Sequence, residues 1–147
     1  MKRLIAAIAA GTLAASAAFA GGETPSNPDA EVYFVNLKDG DTVSSPVTIV
    51  FGLRGMGIAP AGAEWDMTGH HHLVMNRAPF GEGEAGDAEL SEPIPADENH
   101  KHFGGGQTET TMELPAGENT LQLVLGDWSH VPHSDPIMSE VITITVE

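Results

Sequence analysis

From residue 31 onward, apolar and polar side chains alternate with a period of two, and no stretch carries a helical stripe. That rhythm belongs to strands with one buried and one solvated face. In the first run Val32, Phe34 and Asn36 lie on one face and Tyr33, Val35 and Leu37 on the other. Val47, Ile49, Phe51 and Leu53 share a face, and so do Leu73 and Met75. Thr108, Thr110, Met112 and Leu114 alternate with Glu109, Thr111 and Glu113. Leu121, Leu123 and Leu125 point one way, as do Ile142, Ile144 and Val146 near the end. Turns punctuate these runs, at Lys38-Asp39-Gly40-Asp41 and at Pro115-Ala116-Gly117-Glu118. Short strands at this spacing predict an all-β fold, an immunoglobulin-like antiparallel β-sandwich of about six to seven strands over residues 31–147.

The chain begins differently. Lys2 and Arg3 precede an alanine-rich apolar stretch ending Ala18-Phe19-Ala20, before Gly21. A basic start, a short apolar run and a small-x-small end predict a cleaved export signal over residues 1–20. The run is too short for a retained membrane helix, so the mature chain is expected to carry no membrane anchor and to be periplasmic or secreted. Pro25, Ser26, Asn27 and Pro28 then suggest a flexible leader over residues 21–30. Without the signal, Lys38, Arg54, Arg77 and Lys101 face 21 acidic residues, a formal charge of −17. Such a charge repels phosphates and excludes a nucleic-acid partner. Many of the acids fall in residues 77–99, among prolines and glycines, which predicts a long solvated loop. The chain has no cysteine, so disulfides and thiolate ligands are excluded.

Seven histidines fall in three groups: His70, His71 and His72; His100 and His102; His130 and His133. Residues i and i+2 of a strand project to the same side about 6.6 Å apart, close enough for two imidazoles to grip one ion at ~2.0–2.1 Å. His70 and His72 form such a pair, and so do His100 and His102. The face bearing Leu73 and Met75 should be inward and should take His71 with it, which makes His71 the outlier of its triplet. His130 and His133 sit on a loop stiffened by Pro132 and Pro136. Imidazole ligands suit copper, zinc and nickel, and a thioether would add a preference for Cu(I). Met67 and Met138, near the first and third clusters, are the thioether candidates. Asp127, three residues before His130, is placed either to orient a ligand imidazole through its second nitrogen or to cap the turn after residues 121–125.

The strings GHHHLVMN, PIPADENHKHFGGGQTE, LPAGENTLQLVLGDWSHVPH and SEVITITVE are spread from residue 69 to residue 147 and so span most of residues 31–147. In these the chain resembles the secreted bacterial family known as domain of unknown function 4399. The resemblance implies that His70, His71, His72, His100, His102, His130 and His133 belong to one domain, and it implies no activity. The family often has a histidine just before the threonine of the TLQL string, where this chain has Asn119.

These features lead to an expected function: an exported metal-binding protein, copper preferred over zinc, acting as chaperone, buffer or resistance factor. Its partners would be the ion and a metal-delivery or acceptor protein. A metal-dependent enzyme with a His-ligated ion is the first alternative, although no His-Glu-x-x-His motif supplies a general base. The second is an envelope interaction module with incidental histidines. Trp65 and Trp128, both beside turns, are expected to cap the core.

Overall fold

The computed structural model describes residues 21–84 and 86–147, so the proposed export signal lies outside the described residues. Nine strands are present among them: β1 (Glu31–Phe34), β2 (Thr42–Val43), β3 (Val47–Arg54), β4 (Gly57–Ile58), β5 (Thr68–Met75), β6 (His100–His102), β7 (Glu109–Met112), β8 (Gly117–Gly126) and β9 (Ile142–Val146). The count exceeds six to seven because β2 and β4 are two-residue additions to sheet edges. One sheet has the order β1-β3-β7. The other runs β2-β9-β8-β5-β4, with β6 also pairing β5. All the longer pairings are antiparallel, and only the short β2–β9 and β4–β5 contacts are parallel. Among the described residues no helix is long and apolar enough to cross a membrane.

The two sheets close on one core, as the alternation requires. Val32, Val47, Ile49 and Phe51 from the smaller sheet pack with Leu73, Met75, Leu121, Leu123, Leu125 and Ile144 from the larger. Burying each such side chain is worth about 1.5–3 kcal/mol. One predicted face breaks: Leu37 enters the core with Val32, while Val35 is exposed. The cause is Asn36, whose side-chain amide donates to the Thr48 carbonyl and accepts from the Val50 amide. A side chain thus replaces a ladder step beside β3, and the chain gains the extra residue that flips Leu37 inward.

The larger sheet is covered on its outer face as well. Val74 and Val124 pack there against Phe80, Leu90 and Ile94 of the acidic segment. The segment is therefore no simple solvated loop. It holds a 3-10 helix, Gly86–Leu90, and a half-buried ion pair in which Arg77 grips both Glu89 oxygens at 2.6 and 2.9 Å. Its acids coat the solvent side while its sparse apolar residues face inward. This cover explains why every residue of β5 after Thr68 is buried. The leader is anchored too: the Gly21 and Gly22 amides donate to the Ser134 and Pro132 carbonyls, and the Ser134 amide donates to the Thr24 carbonyl. Trp65 and Trp128 do not cap the core. They are 63% and 40% exposed and, with Met67, line a surface cleft.

Candidate metal centre

Strand register decides which histidines meet. On β5, His70, His72 and Val74 point to the outer face, and His71, Leu73 and Met75 to the core. Next to β5, His72 pairs with His102 of β6 on one side and Val124 of β8 on the other, and His70 pairs with Gly126. The chain leaves β8 at Gly126, and a tight turn brings His130 back over the same face, its amide donating to the Asp127 carbonyl at 3.0 Å. His130 has φ 71°, a left-handed conformation uncommon for a side-chain-bearing residue.

The result is a cluster of four imidazoles, His70, His72, His102 and His130, with one ligating atom of each within 4.8 Å of the others. His70 Nε2 lies 3.0 Å from His72 Nε2 and 3.1 Å from His130 Nδ1. His70 and His72 form a buried floor, His130 is half-buried, and His102 is exposed at the rim. A tetrahedral ion bound at ~2.0–2.1 Å sets its nitrogens about 3.3 Å apart. The four rings fit such an ion with modest side-chain rotation.

Proton accounting supports the same reading. A single proton or lone pair on His70 Nε2 can serve one neighbour, yet two ring nitrogens crowd it. The distal Nδ1 atoms of His70 and His72, which carry the ring protons when Nε2 presents a lone pair, are buried with no hydrogen-bond partner in the protein. A cation at the centre would satisfy all the converging lone pairs at once. Three of the four rings are held toward the neutral form that offers a lone pair. Burial, reinforced by His130 and His102, lowers His70 from 6.5 to about 4, against a small opposing pull from Asp127. Burial and then His70, His102 and His130 lower His72 to about 2. Burial and His130 lower His102 as well. A ligand imidazole must be deprotonated, and these are.

The other three predicted histidines do not join the cluster. His71 sits in the core with its ring centre 5.1 Å from that of Phe51, and its Nδ1 donates to the Gln107 carbonyl. His100 pairs with Val74, one row along β6 from His102. There Arg77 Nη1 donates to its Nε2 at 2.8 Å, while its Nδ1 donates to Asp97 at 2.8 Å. Both nitrogens are spent on pinning the acidic segment. His133 is buried near Gly69 on the core side, and its Nε2 donates to the Thr68 carbonyl. The two thioethers are not part of the cluster either: Met67 is exposed and Met138 packs on the outer apolar cluster.

Asp127 makes no hydrogen bond to an imidazole. One carboxylate oxygen accepts from the Ser129 amide, the Ser129 hydroxyl and the Val131 amide, and the other accepts from Thr24. Burial alone would push this carboxyl up, but the hydrogen bonds from Thr24, Ser129 and Val131 outweigh it and hold the group below the usual range. Asp127 builds the turn that presents His130. Asn119 lies seven residues from Gly126 along β8, roughly 24 Å at strand rise. Its amide closes the turn before β8 by donating to the Pro115 and Gly117 carbonyls. A ligand at position 119 would be remote from the four rings.

Two glycines make room for the rings. A Cβ on Gly126 would lie 2.8 Å from His72 Nε2, and one on Gly104 would lie 2.4 Å from His102 Nε2. A glycine closing a strand directly opposite a histidine pair is the signal that marks Gly126. Gly126→Ala is expected to displace the His72 ring and weaken metal affinity about 10-fold or more while leaving the fold intact, the range seen when a ligand's surroundings are altered. Metal titration alongside a thermal melt checks this; unchanged affinity would show that the ring has slack.

No curated protein and no solved structure matches the chain. The profile described as Domain of unknown function (DUF4399) matches residues 49–147, a span that runs from β3 through β9 and contains all seven histidines. The protein belongs to that family.

Proposed function

We propose that the protein is an exported metal-binding protein that holds one ion between His70, His72, His102 and His130, copper in preference to zinc, as a chaperone, buffer or resistance factor. The observation that carries this reading is the convergence of four ring nitrogens, drawn from three separate parts of the chain, to within 4.8 Å. Copper is preferred because nitrogen ligands bind it more tightly than zinc along the divalent series. A carrier is favoured over a metal-dependent enzyme because four protein nitrogens complete a tetrahedral shell. Catalytic sites generally keep one position for water. The export signal read at residues 1–20 and the charge of −17 suit a protein that meets metal outside the cytoplasm.

Equilibrium dialysis of the purified chain against copper and, separately, zinc at pH 7.5 tests this, with metal analysis as readout. One equivalent is expected, with copper displacing zinc. No stoichiometric uptake of either metal would end the reading.

A further inference from the structure

The amino-terminal segment touches the turn that carries the fourth imidazole. Thr24 Oγ1 donates to Asp127 Oδ2 at 2.6 Å, the one side-chain hydrogen bond among the described residues that joins this segment to that turn. Asp127 Oδ1 receives the Ser129 amide at 2.8 Å and the Val131 amide at 3.0 Å, and so brackets His130 on both sides. The Asp127 amide donates to the Val131 carbonyl at 2.8 Å, closing the turn. The segment itself is seated closely: a Cβ on Gly21 would lie 1.9 Å from the His133 carbonyl oxygen, and one on Gly22 would lie 2.5 Å from that of Pro132. Thr24 is thus delivered to Asp127 by residues 21–24, which dock along residues 132–134.

A turn holding a residue at φ 71° needs its surroundings to over-determine it. His130 has few constraints of its own at the ring, since only Nδ1 is engaged, by His70. Its position is set by the backbone: its amide donates to the Asp127 carbonyl, its carbonyl accepts from the Ile94 amide, and Asp127 holds the residues on either side. We infer that Thr24 is a positioning residue for the metal centre: through Asp127, its hydroxyl fixes the turn that places His130 as the fourth ligand. This rests on the metal-binding reading above. The amino-terminal segment is then part of the site, although the sequence reads it as a leader. Removing the hydroxyl frees one Asp127 oxygen, loosens residues 128–131 and leaves His70, His72 and His102 in place.

The test uses the full chain with Thr24→Val, which keeps the shape and loses the donor, and Thr24→Ser, which keeps the donor. Copper affinity should fall 10- to 100-fold in Thr24→Val, the usual range for a group supporting a ligand, and stay within about threefold of the parent in Thr24→Ser. X-ray absorption of the copper-loaded forms should count four imidazoles in the parent and three in Thr24→Val. Amide relaxation of the metal-free chain should show faster motion at residues 128–131 in Thr24→Val alone. Unchanged affinity, imidazole count and relaxation in Thr24→Val would overturn the inference. So would equal impairment in both variants, which would assign the effect to packing. Should the parent chain take up no copper, the metal-binding reading falls, and the relaxation data still decide whether Thr24 holds the turn.

Discussion

His72→Leu is expected to abolish stoichiometric copper binding and, at the same time, to leave the metal-free protein as stable as before or more so. The His72 ring is fully buried, its Nε2 reaches the centre of the cluster, and its Nδ1 has no partner. An unsatisfied buried polar atom costs about 1–3 kcal/mol, and an apolar side chain of similar size removes that cost. For stability alone, leucine would be the better residue at this position beside Val124. Supporting groups around a ligand are worth up to about 100-fold in metal affinity, and loss of a floor ligand should exceed that. Denaturant melts and dialysis on the same preparation check both halves. A large loss of stability with binding intact would mean that the imidazoles are there to hold the fold.

Acid provides the second large effect. Metal-free protein should lose stability steadily as pH falls from about 6.5 toward 4. His70, His71 and His72 have folded-state pKa values of about 4, about 4 and about 2 against an ordinary 6.5. Burial is the leading cause for each. In that window the unfolded chain takes up protons that the folded chain refuses, so stability is full above 6.5 and drains away below it. His71 stands apart from the cluster in the core, and its depression alone corresponds to about 3 kcal/mol across the window. His70 and His72 add to it in the same direction. Domains of this kind hold 5–15 kcal/mol in total, so unfolding near pH 4 is expected. Asp127, held low, adds its loss only at still lower pH, below its ordinary 3.8. Urea melts at pH 7.5, 6, 5 and 4.5 measure the slope, and His71→Leu should flatten part of it. A stability that stays level between pH 7 and pH 5 would contradict the burial of these rings.

Much of the architecture is legible in the amino-acid order, because strand periodicity is a local property. Val47, Ile49 and Phe51 on one strand, and Leu121, Leu123 and Leu125 on another, declare their inward faces before any partner is known. The rule falters where local chemistry interrupts the ladder, as at Asn36, whose amide takes a strand partner's place and turns Leu37 inward. It falters again over residues 77–99. Dense charge there hides the few apolar anchors, Phe80, Leu90 and Ile94, that fasten the segment to the sheet. The leader misleads for a related reason: Pro25, Ser26, Asn27 and Pro28 suggest freedom, yet just before them Gly21 and Gly22, lacking side chains, fit closely against residues 131–133.

For the candidate site, the chain order by itself determined that His70 and His72 share a face and that His71 takes the opposite one, since successive strand side chains must alternate. Only the tertiary structure decided that His102 and His130 complete the group while His100 and His133 do not. That selection depends on pairings between distant segments. The β5–β6 register sets His102 beside His72 and leaves His100 to Arg77 and Asp97. The left-handed turn after β8 swings His130 across the sheet, and the chain beyond Pro132 carries His133 to the core side. Periodicity follows from each residue's own backbone, whereas convergence follows from how separate backbones are registered against one another.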